Sequence, residues 1–383
     1  MTQNLKDIKQ ILAPGSKVCA VVKADAYGLG ALQVSKRLVA HGVDMLAVFS
    51  YSQACDLVQA GVPATILLLA PVHHLDRNDV LYRAAVAGRV HLTVHSLEHL
   101  EKIEVIGRTF GYPIPVHVEV DTGMGRGGVN VEDFTQVLRA ASEMKYATLT
   151  GIFSHPANAD QDVAFTDEQF NLFQQLLKVN AKLIGSNIIS HFANSYATLR
   201  DQRYHLSMVR IGLGLYGYPQ TQMAAGRFVK NQPALKPIVR WASKLVHTTD
   251  VPTGTPVGYH STFITERPSR LGMVPIGYAD GYPLTLSNRS FVRVGEQGFP
   301  AMVCGAVSMD RMIIDLTDVP DAAIGTEVEL IARFPGLPNS LDRLAKLADS
   351  SCYEMLARLS SRITRRYITT NAETGEVGHV ATV

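Results

Sequence analysis

The sequence predicts an α/β protein in which a closed (β/α)8 barrel of the TIM type is followed by a mostly β C-terminal domain. Over roughly the first 215 residues, eight short β-type runs alternate with segments of helical period, and eight is the number of strands in such a barrel. After Tyr218 the pattern changes to short β-rich runs separated by turns, which favours a second domain. An open, doubly wound sheet is the alternative for the first part, but no nucleotide-binding fingerprint follows its first strand.

The elements follow one another at regular intervals. Barrel strands are predicted at residues 17–24, 45–50, 65–70, 90–94, 115–120, 148–155, 187–192 and 208–213. Between them lie helix-period segments such as ALQVSKRLVAHG and DEQFNLFQQLLKVNAKL. Residues 219–237 have no clear period and predict a linker, so we assign 1–230 to the barrel domain and 231–383 to the second domain. In the second domain, SLDRLAKLADSSCYEMLARL predicts one helix before a last strand around RITRRYI.

Composition and charge exclude several classes of protein. The chain has 36 Lys and Arg against 34 Asp and Glu, a formal net charge of +2, which gives no electrostatic basis for binding nucleic acid or an anionic membrane. The longest apolar run, Ile66 to Ala70, is too short to cross a bilayer, and the N-terminal segment lacks the apolar core of a signal peptide. The cysteines have neither zinc-site nor redox-pair spacing. We therefore expect a cytoplasmic protein with reduced thiols.

Polar residues stand at the ends of several barrel strands, where barrel enzymes carry their active sites. Lys23 closes the apolar first strand, and desolvation there would lower the pKa of its amine and make it a nucleophile. A lysine that reaches out to solvent is the alternative. His155 ends the sixth strand and fits a structural role equally well. Ser195 opens a short helix after the seventh strand, and Arg210 precedes a glycine-bearing loop after the eighth, which are the pieces with which barrels hold phosphate.

Two other patterns suggest ligands at first sight. Gly123, Gly125 and Gly128 match G-x-G-x-x-G, but dinucleotide binding requires that motif after the first strand of a βαβ unit, and here it follows the fifth. Glycines that bring the backbone and Arg126 close to a ligand are the better interpretation. The histidines at 91, 95 and 99 have helical spacing, yet the first falls in a predicted strand and Ser96 has the features of a helix N-cap. We therefore predict no metal site.

The order of the motifs carries more information than any one of them. They are AVVKADAYGLG, VDTGMGRGG, HFANSYATLR, MVRIGLGLYG, VGYHSTF, VPIGYADGYP and GAVSMDRMIID. In this order they closely resemble the alanine racemase family, from about Lys17 to Arg366. The resemblance implies a barrel that binds pyridoxal 5'-phosphate (PLP), and a homodimer in which each active site borrows residues from the partner's second domain. It also implies a small amino acid substrate, with L- and D-alanine interconverted and D-alanine supplied as a peptidoglycan precursor.

The resemblance assigns a role to individual residues. It implies two catalytic bases, Lys23, which also carries PLP covalently, and Tyr259, which acts across the dimer interface. Cofactor contacts are implied at Lys23, Tyr27, His155, Ser195, Arg210, Gly212 and Leu213. Substrate-side contacts are implied at Arg126, Tyr278, Met309, Asp310 and Ser361. Two bases on opposite faces of Cα are what a racemisation requires, since the proton leaves one face and returns on the other.

Two positions depart from the family pattern. Many members carry a modified lysine where this chain has Glu119, and we expect the Glu119 carboxylate to pair with Arg126 instead. A family tyrosine that narrows the substrate entrance is replaced by Ser361, which predicts weaker discrimination against serine. A serine or broad-specificity racemase is therefore the alternative to an alanine racemase. Three other classes are weaker alternatives. Barrel decarboxylases of basic amino acids fit the motifs less well, and a single-domain PLP-binding protein would lack the second domain. A non-catalytic descendant of the family is the third.

Overall fold

The structure is a computed structural model that describes residues 1–218, 228–370 and 377–380. The chain divides into two compact units. The first comprises Met1–Ala26 and Ala31–Lys236, and the second comprises Tyr27–Gly30 and Pro237–Val383. Part of the predicted linker, residues 219–227, lies outside the described residues.

The first unit contains eight parallel strands, hydrogen-bonded in sequence order, and β1 pairs with β8 to close the barrel. The strands are β1 (Lys17–Val21), β2 (Met45–Val48), β3 (Thr65–Leu68), β4 (Val90–Val94), β5 (Ile114–Glu119), β6 (Ala147–Phe153), β7 (Ile189–His191) and β8 (Met208–Ile211). The predicted barrel and all eight strand positions are confirmed, and most strands end a few residues earlier than predicted. The predicted ends are instead loops or the first residues of short helices, and these segments carry the site described below.

Helices alternate with the strands. They are α1 (Thr2–Ile11), α2 (Lys23–Gly28), α3 (Ala31–Ala40), α4 (Tyr51–Gln59), α5 (Val80–Val86), α6 (Leu97–Phe110), α7 (Val131–Glu143), α8 (Val163–Val179), α9 (Ser195–Arg200) and α10 (Leu213–Tyr216). Local sequence sets their ends: Ser96 accepts a hydrogen bond from the backbone N–H of His99 at the start of α6, and Gly111 ends that helix in the left-handed conformation. The predicted Ser96 cap is thus confirmed, and His91 lies in β4.

The interior of the barrel has two chemically different sides. Apolar side chains of β1, β2, β3 and β8 pack together on one side, in a buried cluster made of Cys19, Met45, Ala47, Leu67 and Met208. On the other side, β4, β5 and β7 contribute imidazole rings that contact one another. Burial of the apolar cluster stabilises the barrel, whereas the imidazole side places hydrogen-bonding groups beneath the strand ends.

The second unit is mostly antiparallel sheet. Its strands are β9 (Trp241–Lys244), β10 (His247–Val251), β11 (Pro256–Val257), β12 (Phe263–Ile264), β13 (Ser269–Val274), β14 (Phe291–Val294), β15 (Phe299–Cys304), β16 (Met312–Asp315), β17 (Glu327–Ile331), β18 (Tyr367–Thr370) and β19 (Val377–Val380). Seven of them form one sheet in the order β10-β13-β16-β15-β14-β17-β9. The predicted β domain is confirmed.

Two details of the second unit differ from the prediction. The single predicted helix is two, α11 (Leu341–Leu347) and α12 (Cys352–Ala357). The chain breaks at Asp349, whose φ is 51°, and Ser351 then caps α12 by accepting the N–H of Glu354. The strand predicted around RITRRYI begins only at Tyr367, as β18, because residues 362–366 form no ladder, and it is not the last strand, since it pairs with β19.

All four cysteines are free. Burial raises the pKa of the Cys19, Cys304 and Cys352 thiols to about 12, so these three remain protonated and unreactive at neutral pH. Among the helices of the described segments, none combines the length and the apolar character that crossing a bilayer requires.

Candidate active site

The barrel places six of the predicted site residues at the carboxyl ends of its strands. Lys23 follows β1, Arg126 follows β5 and His155 follows β6. Ser195 follows β7, and Gly212 and Leu213 follow β8, with Arg210 on β8 itself. Because parallel strands end at the same rim of a barrel, these side chains share one mouth. The first unit therefore gathers a lysine, two arginines, a histidine and a serine around one opening.

Lys23 is the predicted nucleophile of this group. Its side chain is half-buried, and no hydrogen bond or ion pair joins it to another of the residues that the structure describes. Burial lowers the pKa of its amine below the usual value, and the positive charge of Arg126 lowers it further. A larger fraction of the amine is therefore unprotonated at neutral pH than for an exposed lysine.

The backbone after Lys23 is unusual. Four consecutive residues other than glycine, Ala24 to Tyr27, have φ of 51°, 54°, 52° and 59°, and Gly28 follows at 74°. The short helix α2 is therefore left-handed, which costs roughly 1–2 kcal/mol for each non-glycine residue. The Asp25 side chain accepts the backbone N–H of Ala31 at 2.6 Å and helps to hold the segment. Such strain is typical of functional sites, and no sequence signal except Gly28 predicts it.

Arg210 is buried and heavily hydrogen-bonded. Its Nη2 donates to the carbonyls of Ser154 at 2.8 Å and Phe192 at 3.0 Å, and lies 3.1 Å from His155 Nδ1. Its Nη1 lies 2.8 Å from His191 Nδ1. Burial lowers the pKa of the guanidinium to about 10, against the opposing effect of Glu119. The group is still charged at neutral pH, and its Nε has no partner among the described residues, so it can donate to a ligand.

His155 is held neutral. Burial lowers its pKa well below the usual value, and the positive charges of Arg210, Arg126 and Lys23 reinforce the effect. A neutral imidazole beside Arg210 presents an aromatic ring without adding a positive charge to the mouth.

Ser195 and the loop after β8 form a small polar cradle. The Ser195 Oγ accepts the backbone N–H groups of Gly212 and Gly214, both at 3.1 Å. Because the hydroxyl already accepts twice, its own hydrogen is available to donate. Asn194 caps α9 by accepting the N–H of Ala197, which places Ser195 at the first position of that helix. Leu213 is the first residue of α10, which follows Gly212 and has no side-chain cap.

The glycine-rich loop after β5 is organised by one carboxylate. Asp121 accepts the backbone N–H groups of Gly123, Met124 and Gly125 at 2.7–2.9 Å. This loop carries Arg126 and follows the fifth barrel strand, as predicted.

Glu119 has a different partner from the one expected. Its Oε2 lies 3.3 Å from His95 Nδ1, and no ion pair joins it to Arg126 among the described residues. Burial raises the pKa of Glu119, while His95, Arg210 and Arg126 act to lower it. The expected direct pair with Arg126 is therefore wrong: the carboxylate lies beside His95, which follows β4, and spacing along the chain does not reveal this contact.

The second unit presents the other proposed base and its neighbours to solvent. Tyr259, Met309 and Tyr278 are 67%, 54% and 45% exposed. Tyr259 lies in a tight turn between β11 and β12, where His260 has φ of 62°. The loops of Tyr278 and Met309 are joined by backbone hydrogen bonds, since Ala279 N–H donates to the Met309 carbonyl at 3.0 Å. Large apolar surfaces exposed together are typical of an interaction site.

Arg362 organises the loop that contains Asp310. Its Nη2 lies 2.7 Å from Asp310 Oδ1 and 3.0 Å from the buried Asp280. Ser361 precedes it in an exposed turn. Tyr27, which belongs to the second unit, is buried with its ring 5.8 Å from that of Tyr353, and burial raises the pKa of its hydroxyl.

Sequence reasoning missed several polar residues beside the predicted ones. They are His95, His117, His191 and Arg362. His117 stands between two valines in VHV, and a polar residue alternating with apolar ones in a strand is a signal for an inward-facing polar side chain. His191 follows Ser190 and has no such signal. In the segments that the structure describes, no group of three or more His, Cys, Asp or Glu has the arrangement of a metal site.

Comparison with known proteins matches nearly the whole chain to the family that its motifs resemble. Family models for the alanine racemase N-terminal and C-terminal domains match residues 1–220 and 238–367. An alanine racemase from Halothermothrix orenii is 34% identical over 365 residues, covering 95% of this chain and 93% of that protein. The structure of an alanine racemase from Clostridium difficile has a TM-score of 0.85 and 30% identity, covering 99% of this chain and 95% of that one. One from Bartonella henselae, solved with covalently bound pyridoxal phosphate, has a TM-score of 0.79 and 27% identity, covering 94% and 95%.

A barrel followed by an antiparallel β unit, matched over both units by the racemase family models, makes this chain an isomerase of the racemase class. The matches extend over both units and over at least nine-tenths of each relative's length. The chain belongs to the alanine racemase family, which is PLP-dependent.

Proposed function

We propose that this protein interconverts L- and D-alanine by a two-base mechanism in which Lys23 and Tyr259 exchange protons on opposite faces of Cα. The observation that carries the proposal is the half-buried Lys23 amine, whose pKa is lowered by burial and by Arg126. It stands at the rim of the barrel together with Arg210, His155 and Ser195. A partly unprotonated amine at that position can act both as a nucleophile and as a base.

The groups at the mouth fit PLP. Ser195 and the loop of Gly212 and Leu213 suit a phosphate, because the N–H groups of Gly212 and Gly214 hold the Ser195 Oγ and leave its hydroxyl hydrogen available to donate. The free Nε of Arg210 suits the pyridine nitrogen, and the neutral His155 ring suits an aromatic neighbour. Tyr27 completes the proposed phosphate contacts. When bound, PLP supplies an electron sink for the negative charge that deprotonation leaves at Cα.

Each residue then has a defined task. Lys23 holds PLP and moves a proton at one face of Cα, and Tyr259 moves a proton at the other. Arg210 remains protonated and donates without giving up its hydrogen, which limits electron withdrawal and discourages side reactions. Arg126 keeps the pKa of Lys23 low, and the Met309–Asp310 loop receives the substrate carboxylate beside Tyr278 and Ser361.

The exposed surface of the second unit supports a homodimer. Tyr259 and Met309 are more than half exposed, although catalysis requires water to be excluded around the reacting atoms. In a head-to-tail homodimer these residues would cover the barrel mouth of the partner. We place this dimer in the cytoplasm, where D-alanine would serve as a peptidoglycan precursor.

Solvent isotope exchange tests the proposed function. The PLP-loaded protein is incubated in deuterium oxide with a panel of L-amino acids, and deuterium at Cα is measured by mass spectrometry and NMR. We expect exchange and inversion with alanine. Exchange with none of the amino acids would refute the proposal.

Replacing Arg126 by glutamine should slow the uptake of PLP near neutral pH. Loss of the positive charge raises the pKa of Lys23, so less free amine is present at a given pH and the acid limb of the uptake rate moves to higher pH. We expect uptake at pH 7 to slow by roughly threefold to tenfold. The measurement is the initial uptake rate against pH, with Arg139→Gln on the outer face of α7 as the control. An acid limb at the wild-type position would contradict the role of Arg126.

Replacing Ser361 by tyrosine should increase selectivity for alanine over serine. A large ring there fills space that a serine side chain would otherwise use, and we expect the ratio of the two kcat/KM values to rise about tenfold. Ser361→Ala is the matched control, because it removes the hydroxyl without filling space. Equal ratios in wild type and Ser361→Tyr would show that this position does not set the pocket size.

A further inference from the structure

Three histidines in the barrel interior have no role in the proposed mechanism, yet they connect to one of its residues. His91 Nδ1 lies 3.0 Å from His117 Nε2, and His117 Nδ1 lies 2.9 Å from His191 Nε2. His191 Nδ1 lies 2.8 Å from Arg210 Nη1. These four side chains, from β4, β5, β7 and β8, form one continuous hydrogen-bonded chain, which we call the imidazole relay.

The chemistry of arginine gives the relay a direction. A guanidinium only donates hydrogen bonds, so His191 Nδ1 accepts from Arg210 and the hydrogen of His191 is on Nε2. The same reasoning applies to the next two rings: each accepts at Nδ1 and donates from Nε2. His91 has a hydrogen bond to the backbone of Gly88, which ends the relay on a carbonyl. All donation therefore runs away from Arg210.

The relay requires neutral rings, because a protonated imidazole has no acceptor nitrogen. Burial lowers the pKa of His91 to about 4. It also lowers the pKa values of His117 and His191 well below the usual value, with the positive charge of Arg210 reinforcing both shifts. All three rings are therefore neutral at physiological pH.

The neighbouring strand is shaped around the central ring. A Cβ on Gly151 would lie 2.3 Å from His117 Nδ1, so any other residue there would collide with the imidazole. The register between β5 and β6 also shifts between Val116 and His117, which leaves Thr150 without a partner residue in the ladder. Its Oγ1 donates to the Val116 carbonyl at 3.0 Å and lies 3.3 Å from His91 Nδ1. A glycine and an irregular register at the same place show that the position of the His117 ring is built into the barrel.

We propose that His117 and His91 are positioning residues that keep His191 in the tautomer able to accept a hydrogen bond from Arg210. This inference rests on the proposed function, in which Arg210 faces PLP. Without an acceptor for its Nε2 hydrogen, His191 can carry its hydrogen on Nδ1, where it opposes an Arg210 donor. Arg210 Nη2 keeps the carbonyls of Ser154 and Phe192 as acceptors, but His191 is the acceptor of Nη1 among the described residues. Loss of that acceptor would leave a buried N–H group unpaired and weaken the hold on the guanidinium.

The first test uses the protein without PLP. Long-range proton–nitrogen NMR of histidine-labelled protein distinguishes the two tautomers, with the signals assigned from single variants. We expect His191 to carry its hydrogen on Nε2 in wild type, to shift towards the Nδ1 tautomer in His117→Leu, and to recover in His117→Gln. An amide accepts and donates as a neutral imidazole does, whereas leucine does neither. His247→Leu, at an exposed histidine of the second unit, is the control.

The second test uses the loaded enzyme. For His117→Leu we expect about a tenfold rise in the PLP dissociation constant and about a tenfold fall in kcat, with KM for alanine little changed and with rescue by His117→Gln. His91→Leu, at the partly exposed end of the relay, should act in the same direction more weakly, and it replaces His117→Leu if that variant does not fold.

An unchanged His191 tautomer in both leucine variants would overturn the proposal. An altered tautomer with wild-type PLP affinity and kcat would overturn the positioning role and leave the proposed function intact. Failure of the wild-type protein to take up PLP would refute the proposed function, and with it the positioning role, but not the tautomer assignment.

Discussion

Replacing Lys23 by alanine is expected to reduce racemisation by on the order of 10³-fold or more and to remove the visible absorbance of protein-bound PLP. The variant loses the covalent attachment point and one of the two bases together. Its amine is half-buried and has a lowered pKa, which suits both roles. The measurements are the racemisation rate by chiral chromatography and the absorbance spectrum after incubation with PLP.

Lys17→Ala is the matched control for that variant. Lys17 is exposed at the opposite end of the same strand, β1, so its replacement should leave both the rate and the spectrum unchanged. Circular dichroism would verify that both variants remain folded. A Lys23→Ala protein with the wild-type spectrum and rate would show that the lysine at the end of β1 is not the one that holds PLP.

Replacing Tyr259 by phenylalanine is expected to lower racemisation in both directions by roughly 10²–10⁴-fold while the uptake of PLP is retained. The change removes only the hydroxyl that exchanges a proton with Cα, and Lys23 remains in place. Because one base is left, one enantiomer of alanine should still exchange its Cα proton with solvent without inverting. The measurements are the racemisation rate and the deuterium content of each enantiomer.

Tyr112→Phe is the control for this variant, because Tyr112 is 54% exposed on the barrel and has no proposed role. Wild-type racemisation by Tyr259→Phe would assign the second base to another residue. Loss of the bound PLP spectrum would show instead that Tyr259 acts in cofactor binding.

The barrel could be predicted from sequence because each strand is a short β-type run between helix-period segments, and eight such runs have few alternative arrangements. The local conformation after Lys23 could not be predicted from the sequence. Ala24 to Tyr27 have no composition that favours positive φ, so the left-handed α2 results from tertiary structure overriding local preference. The break at Asp349 was missed for a similar reason, since helical period continues across it.

The site was predictable to the extent that its residues follow strands. Lys23, His155 and Ser195 were found because the rim of a barrel is a known location for function. His117 and His191 lie within β5 and β7. Barrel strands are expected to be apolar, so polar residues inside them were not considered as part of the site. The His95–Glu119 pair joins the end of β4 to the end of β5, so no spacing along the chain could reveal it. The proposed role of Tyr259 requires the proposed second copy of the chain, which the sequence of one chain cannot place.

The most direct test of two-base racemisation is the deuterium content of the first D-alanine formed from L-alanine in deuterium oxide. Removal of the proton by one base and its return from another predicts that this D-alanine carries a solvent deuterium at Cα even at low conversion. D-alanine that retains the original proton would show that one base acts on both faces, and it would contradict the assignment of Lys23 and Tyr259 as partners.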